Sequence, residues 1–210
     1  MTPRKLRIVG VGDSTTAGAP EFLSPLESPP QGYGNRESQY AHWIMKAHPE
    51  WEVLNRGVNG QRSDEILSRF NCDVVEERPD YVIILAGVND VYQGSSTDSI
   101  ERNLKAMYMQ AIEQHIVPVA ATVLPYDSSS VEAKEIQKLN AWIIETANRL
   151  HIPLADTNLA TSDPADRNRL LSSVDGLHPD VSGYHSMGMV LAQTIEHHLR
   201  RIEDERGKIK

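Results

Sequence analysis

The sequence is short of cysteine, of positive charge and of long apolar runs, and each shortage removes a class of protein. Cys72 is the only cysteine, so no disulfide forms within the chain. None is needed, because a chain of 210 residues buries well over half of its unfolded surface on folding. Lysine and arginine number 21 against 29 aspartates and glutamates, a net charge of −8. A sequence-independent nucleic-acid binder needs a basic face, so nucleic acid is not expected among the partners. No segment approaches the roughly 18 apolar residues of a membrane-spanning helix. The first apolar run, Leu6–Val11, is too short for a signal-peptide core and has no small-residue cleavage site after it. It reads as a buried first strand, and the expectation is a cytoplasmic protein. Repeats, low-complexity tracts and a convincing domain boundary are also missing, which predicts one domain over residues 1–210.

Metal-ligand spacing is lacking too. No H-E-x-x-H occurs, the adjacent His197 and His198 project to different helix faces, and His185 falls inside a helical pattern. No metal and no cofactor is expected. Cys72 has no activating neighbours and reads as a buried small residue.

What is present is a regular alternation. Short apolar or β-branched runs at Leu6–Val11, Trp51–Leu54, Tyr81–Ala86, Val117–Val123 and Pro153–Ala155 are bounded by turn residues, as strands covered on both faces are. Between them run helical stripes: Ile100, Leu104, Met107, Ala111 and Ile112, then Ile136, Leu139, Ile143, Ala147 and Leu150. Thr97 or Ser99 is a candidate cap for the first helix and Ser128–Ser130 for the second. A last helix carries Tyr184, Met187, Leu191, Ile195, Leu199 and Ile202, then frays into the charged tail from Glu203. Alternation of this kind predicts a mostly parallel five-stranded sheet with helices on both sides.

The segment Ala19–Arg36 breaks the rhythm. It holds Pro20, Pro25, Pro29, Pro30, Gly32 and Gly34, which rules out regular structure over its length. It is too long for an ordinary βα connection, and long ordered loops carry function more often than short ones. Phe22, Leu23, Leu26 and Tyr33 are expected to line a pocket, to pack the segment down, or to meet a second copy in a homo-oligomer.

Four short motifs carry chemistry. Gly10-Val11-Gly12-Asp13-Ser14 places Ser14 where the first strand ends, at the sheet edge that binds ligands in open α/β folds. Two rival fingerprints fail there: Thr15 stands where the dinucleotide motif needs a glycine, and Thr16 where the G-x-S-x-G elbow needs one. Asp175-Gly176-Leu177-His178-Pro179 precedes the last helix and brings a carboxylate and an imidazole into one tight loop. A serine hydroxyl needs a neighbouring base, and that base needs a carboxylate on its other nitrogen. Asn55-Arg56-Gly57-Val58-Asn59-Gly60-Gln61-Arg62-Ser63 follows the second strand, and Gly87-Val88-Asn89-Asp90 the third. Taken singly, each of these two reads as a turn. Their glycine N–H groups and the asparagine amide are also neutral donors suited to a transient oxyanion.

In this order and at this spacing, the four blocks resemble the SGNH (GDSL-like) hydrolase family over nearly the whole chain. The resemblance implies a flavodoxin-like three-layer α/β/α sandwich and hydrolysis of carboxylic esters through an acyl-enzyme. It makes Ser14 the nucleophile, His178 the base and Asp175 its partner. The oxyanion hole would comprise the Ser14 N–H, the Gly60 N–H and the Asn89 amide, with Gly60 preferred to Gly57 because a short polar run follows it. The partner implied is a small-molecule ester. Esterase, thioesterase, lysophospholipase and carbohydrate deacetylase all remain open, as does a binding module that kept the fold alone. A nucleotide- or flavin-binding protein of the same architecture is weakened by the failed fingerprints.

Overall fold

The computed structural model describes residues 5–126 and 130–208. In chain order, β1 (Leu6–Gly12) and the one-turn helix α1 (Ser14–Ala17) precede two-residue strands β2 (Phe22–Leu23) and β3 (Tyr33–Gly34). Next come α2 (Tyr40–Ala47), β4 (Trp51–Gly57), α3 (Ser63–Phe70) and β5 (Tyr81–Leu85). The remainder is α4 (Val88–Tyr92), α5 (Thr97–Glu113), β6 (Val117–Ala121), α6 (Ser130–Leu150), β7 (Leu154–Ala155), α7 (Thr157–Thr161) and α8 (Val181–Lys208).

All five expected strands form, and they pair in parallel in the order β4-β1-β5-β6-β7. Strand alternation divides the apolar residues between two layers. Val9, Val11, Val82, Ile84 and Ala120 face Ile66, Phe70, Leu104 and Leu139 of α3, α5 and α6. Ile8, Ile83, Leu85 and Val119 face Tyr40 and Ile44 of α2 and Tyr184, Met187 and Leu191 of α8. The result is the expected flavodoxin-like sandwich. The chain leaves β1 for β4 on one side and returns to β5 on the other, so the order reverses at β1. In open α/β sheets the ligand crevice lies at that reversal, outside the carboxyl ends of the strands.

Several expectations are corrected. β4 runs on to Gly57, so Asn55, Arg56 and Gly57 belong to the strand and not to the turn after it. The segment 19–36 is not wholly irregular, because β2 and β3 form a small antiparallel pair. Neither Thr97 nor Ser99 caps α5. Ser96 is the capping position, Thr97 Oγ1 donates to Glu135 of α6, and Ser99 Oγ donates to the Ser96 carbonyl. Ser128 and Ser129, expected as caps for α6, lie outside the described residues, as does the side chain of Ser130. α8 does not fray at Glu203 but continues to Lys208; glutamate and arginine are good helix formers that extend a solvated helix without burying anything. Cys72 is exposed, because the wide turn Asn71–Val75 after α3 gives its core position to Val74. Among the described residues no helix is long and apolar enough to cross a membrane.

The first turn after β1 is held at both ends. Asp13 caps α1 by accepting the Thr15 N–H at 2.9 Å, and Gly18 closes it in the left-handed region at φ +115°. Asp13 is buried, and that burial raises its carboxyl from the ordinary 3.8 to about 6 against the opposing Thr15 N–H bond. Between those two values the native state keeps a proton that the unfolded chain has released. Stability from this group is therefore full below pH 3.8 and is lost as pH rises through about 6. Asp13→Asn keeps an oxygen for the Thr15 N–H but cannot ionise. Relative to wild type, its stability in urea unfolding should rise between pH 4 and 7, by on the order of 2–3 kcal/mol. A difference that does not change with pH would contradict this reading of Asp13.

Candidate active site

Ser14 is the first residue of α1, directly beyond the carboxyl end of β1. So tight a strand-to-helix turn works because Gly12 has no side chain: a Cβ there would collide with the Thr16 hydroxyl and the Leu85 carbonyl. The opposite wall comes from the loop before α8, which Asp175 organises. Asp175 Oδ1 accepts the Leu177 N–H at 2.9 Å and the His178 N–H at 2.8 Å, an Asx turn that points the imidazole inward. Gly176 supplies the left-handed conformation at φ +78° that the turn requires. Ser173, which the sequence reading missed, accepts the Gly176 N–H at 2.8 Å and donates to the His178 carbonyl at 2.6 Å.

These two walls meet. His178 Nε2 lies 2.9 Å from Ser14 Oγ, and His178 Nδ1 lies 2.7 Å from Asp175 Oδ2. Burial alone would raise the Asp175 carboxyl. The His178 ring and the His178 and Leu177 N–H groups outweigh it and bring the carboxyl down to about 2. Asp175 is thus an anion throughout the neutral range, and it fixes the Nδ1–H tautomer that leaves Nε2 free to accept a proton.

On the other flank, Gly57 and Gly60 have separate duties. The Gly57 N–H is taken by Asn55 Oδ1 at 3.0 Å, and a Cβ on Gly57 would strike the backbone nitrogen of Ala17. Gly57 therefore lets α1 pack against β4. Gly60 sits exposed in the loop at φ +75°, and its N–H has no partner among the described residues. Asn89, in α4 after β5, donates one amide hydrogen to the Gln61 carbonyl at 2.9 Å, which joins its helix to the Gly60 loop. A primary amide has a second hydrogen to offer. Asp90 beside it is buried and accepts both the N–H and the hydroxyl of Ser63, at 2.8 and 2.6 Å. Burial raises its carboxyl, with the two Ser63 bonds opposing.

Arg69 was not picked out from the sequence. Its guanidinium donates to the Gly12 carbonyl at 2.9 Å, the Arg56 carbonyl at 2.8 Å, Gln61 Oε1 at 2.7 Å and Asp73 at 2.6 Å. Only Asp73, four residues on, is local; the other partners lie in β1, β4 and the Gly60 loop, which no sequence window joins. The histidines set aside earlier lie elsewhere: His185 packs edge-on against Trp43, and His198 Nδ1 meets the Tyr81 hydroxyl at 2.9 Å. Of the segment 19–36, Phe22 is buried and Leu26 half-buried, whereas Leu23 and Tyr33 are 41% and 75% exposed.

Comparison with known proteins agrees with this architecture. A lipoprotein, YqeF, of Bacillus subtilis is 25% identical over 114 residues, covering 44% of this chain and 47% of that protein. The chain thus spans less than half the length of that relative. An acetylxylan esterase of Geobacillus stearothermophilus is 22% identical over 211 residues, covering 89% of this chain and 90% of the esterase. The crystal structure of a GDSL-like lipase from Bacteroides thetaiotaomicron superposes with a TM-score of 0.74 at 26% identity, over 91% of this chain and 88% of the lipase. The model of the GDSL-like Lipase/Acylhydrolase family matches residues 11–185, the span from the end of β1 into α8 that holds every residue of the site described above, and the chain belongs to that family.

Proposed function

We propose that the protein hydrolyses carboxylic esters, with Ser14 as nucleophile, His178 as general base and Asp175 as the group that orients and balances His178. The observation that carries this reading is the unbroken hydrogen-bonded chain from Ser14 Oγ through both ring nitrogens of His178 to Asp175. Ser14 Oγ attacks the ester carbonyl as its proton passes to His178 Nε2. The carbonyl oxygen becomes an oxyanion, received by the N–H groups of Ser14 and Gly60 and by the Asn89 amide. His178 then returns the proton to the departing alkoxide, and the alcohol leaves an acyl group on Ser14. Water, deprotonated by His178, attacks the acyl carbon and restores the serine. Asp175 keeps its charge throughout, as a carboxyl held near 2 must at neutral pH. A cytoplasmic location stays part of the proposal.

A second reading, removal of acetyl groups from a sugar, is favoured by the likeness to the acetylxylan esterase over 89% of this chain. Both readings use one mechanism and differ in the alcohol that leaves. An acyl-chain series of aryl esters run beside acetylated xylo-oligosaccharides separates them.

Ser14→Ala and His178→Ala should each lower kcat on the order of a thousandfold or more while the fold, read by circular dichroism, is retained. Asp175→Asn should also cut kcat sharply. A fluorophosphonate probe should label wild type at Ser14 and leave Ser14→Ala unlabelled. Near-normal turnover by Ser14→Ala would sink the mechanism. Asn89→Ala should lower kcat by roughly a hundredfold with KM nearly unchanged, because its free hydrogen acts on the transition state. A purely raised KM would make Asn89 a substrate-binding residue instead.

A further inference from the structure

The Gly60 loop has little packing to hold it. A Cβ built on Gly60 would find nothing within 4 Å; the turn that carries it is closed by the Gln61 N–H on the Val58 carbonyl at 3.4 Å and tied to β1 by the Val58 N–H on the Gly12 carbonyl at 3.2 Å. Two further bonds come from helices: Asn89 of α4 holds the Gln61 carbonyl, and Arg69 of α3 holds the Gln61 side chain. Two others come from the segment 19–36. Ser24, wholly buried, donates its hydroxyl to the Gly57 carbonyl at 2.6 Å. Glu27 Oε1 accepts the Asn59 N–H at 2.9 Å, one residue before Gly60.

The segment is itself well anchored and so able to act as a support. Glu27 Oε2 accepts the Ser24 N–H at 3.3 Å and the Glu27 N–H donates to the Ser24 carbonyl at 3.0 Å, which makes Ser24 and Glu27 one closed turn. Glu21 joins the two ends of the segment by accepting from Asn35 at 2.9 Å and from Ser38 at 2.8 Å. Its root is tied to α8 through the Tyr184 hydroxyl, which donates to the Ala19 carbonyl at 2.7 Å.

We propose that the segment 19–36 is a strut for the oxyanion loop, in which Ser24 and Glu27 are positioning residues that set the Gly60 N–H. The inference rests on the acyl-enzyme reading given above. A carboxylate beside the oxyanion loop is electrostatically adverse to the charge that develops there, and its hydrogen bonds offset this. Two N–H groups partly balance the charge of Glu27, and the charge-assisted bond to Asn59 holds the backbone more firmly than a neutral acceptor does. Holding a donor in place before the reaction is what makes an oxyanion hole effective, because no reorganisation is then needed as charge develops.

The test compares Glu27→Ala, Glu27→Gln and Ser24→Ala with wild type. Complete loss of an oxyanion donor costs roughly a hundred- to a thousandfold in kcat, and a loosened one costs less. Glu27→Ala should lower kcat roughly tenfold with KM nearly unchanged, and Ser24→Ala should act in the same direction. Glu27→Gln keeps one acceptor oxygen and should stay within about threefold of wild type. Hydrogen exchange at the Asn59 amide, read without substrate, should accelerate in Glu27→Ala and much less in Glu27→Gln. Wild-type kcat in Glu27→Ala, a loss carried by KM alone, or unchanged exchange at Asn59 would each overturn the strut. Wild type without Ser14-dependent hydrolysis would instead overturn the reaction on which the strut acts. Active wild type with an equally active Glu27→Ala would overturn the strut alone.

Discussion

At the carboxyl ends of β1 and β4 one side chain ties the backbone together. Arg69 of α3 sets its fork against the Gly12 carbonyl, which also accepts the Val58 N–H at 3.2 Å, and against the Arg56 carbonyl, with its charge on Asp73. Arginine and aspartate side chains here are only 15% and 13% exposed, so the pair is mostly removed from water. Stripping one partner from a buried pair typically costs about 3–5 kcal/mol, because the other charge stays behind uncompensated. The remaining donor, Nε, reaches Gln61. One side chain therefore joins the strand that leads to Ser14, the strand beside it and the loop that carries Gly60. Lysine, with a single ammonium, could not serve these carbonyls and carboxylate in a fixed plane.

Much of this was legible in the sequence, for identifiable reasons. The strands β1 and β5 are short, β-branched apolar runs with turn residues on either side, and that length and flanking separate a covered strand from a buried helix. The loop before α8 was legible because Asp175, Gly176 and His178 lie within four residues and build their geometry locally. What was hidden depends on partners remote in sequence. Thr97 has the chemistry of a cap, yet Glu135 on a neighbouring helix takes its hydroxyl. Cys72 has the composition of a core residue, yet a change of helical pitch turns it outward. Ser24, Glu27 and Arg69 act on backbone groups 30 or more residues away or across several elements, and no local window contains such pairs.

The two sides of the site differ in how they are built. Asp175 and His178 are held by bonds inside their own loop, so that wall is nearly self-sufficient. The wall of Gly60 and Asn89 is a meeting of separate elements, each pinned by another: α4 by Ser63 through Asp90, the loop by Asn89, Arg69 and the segment 19–36. On the proposed mechanism, variation in the first wall would disturb the proton path, whereas variation in the second would tune how tightly charge is received. The proline-rich segment belongs to the second wall.

Ser14 and His178 are 164 residues apart, one near the start of the first strand's turn and the other at the threshold of the final helix. Contacts of such long range are slow to form, since closing a large loop sacrifices chain entropy before any contact repays it. Ser14 meets His178 only once β1 has been laid into the sheet and α8 has docked across it. On the proposed mechanism, an unassembled chain carries an ordinary serine with no base beside it while it folds. On that mechanism, reactivity toward an electrophile would count finished molecules, through a bond between residues 164 apart in the chain.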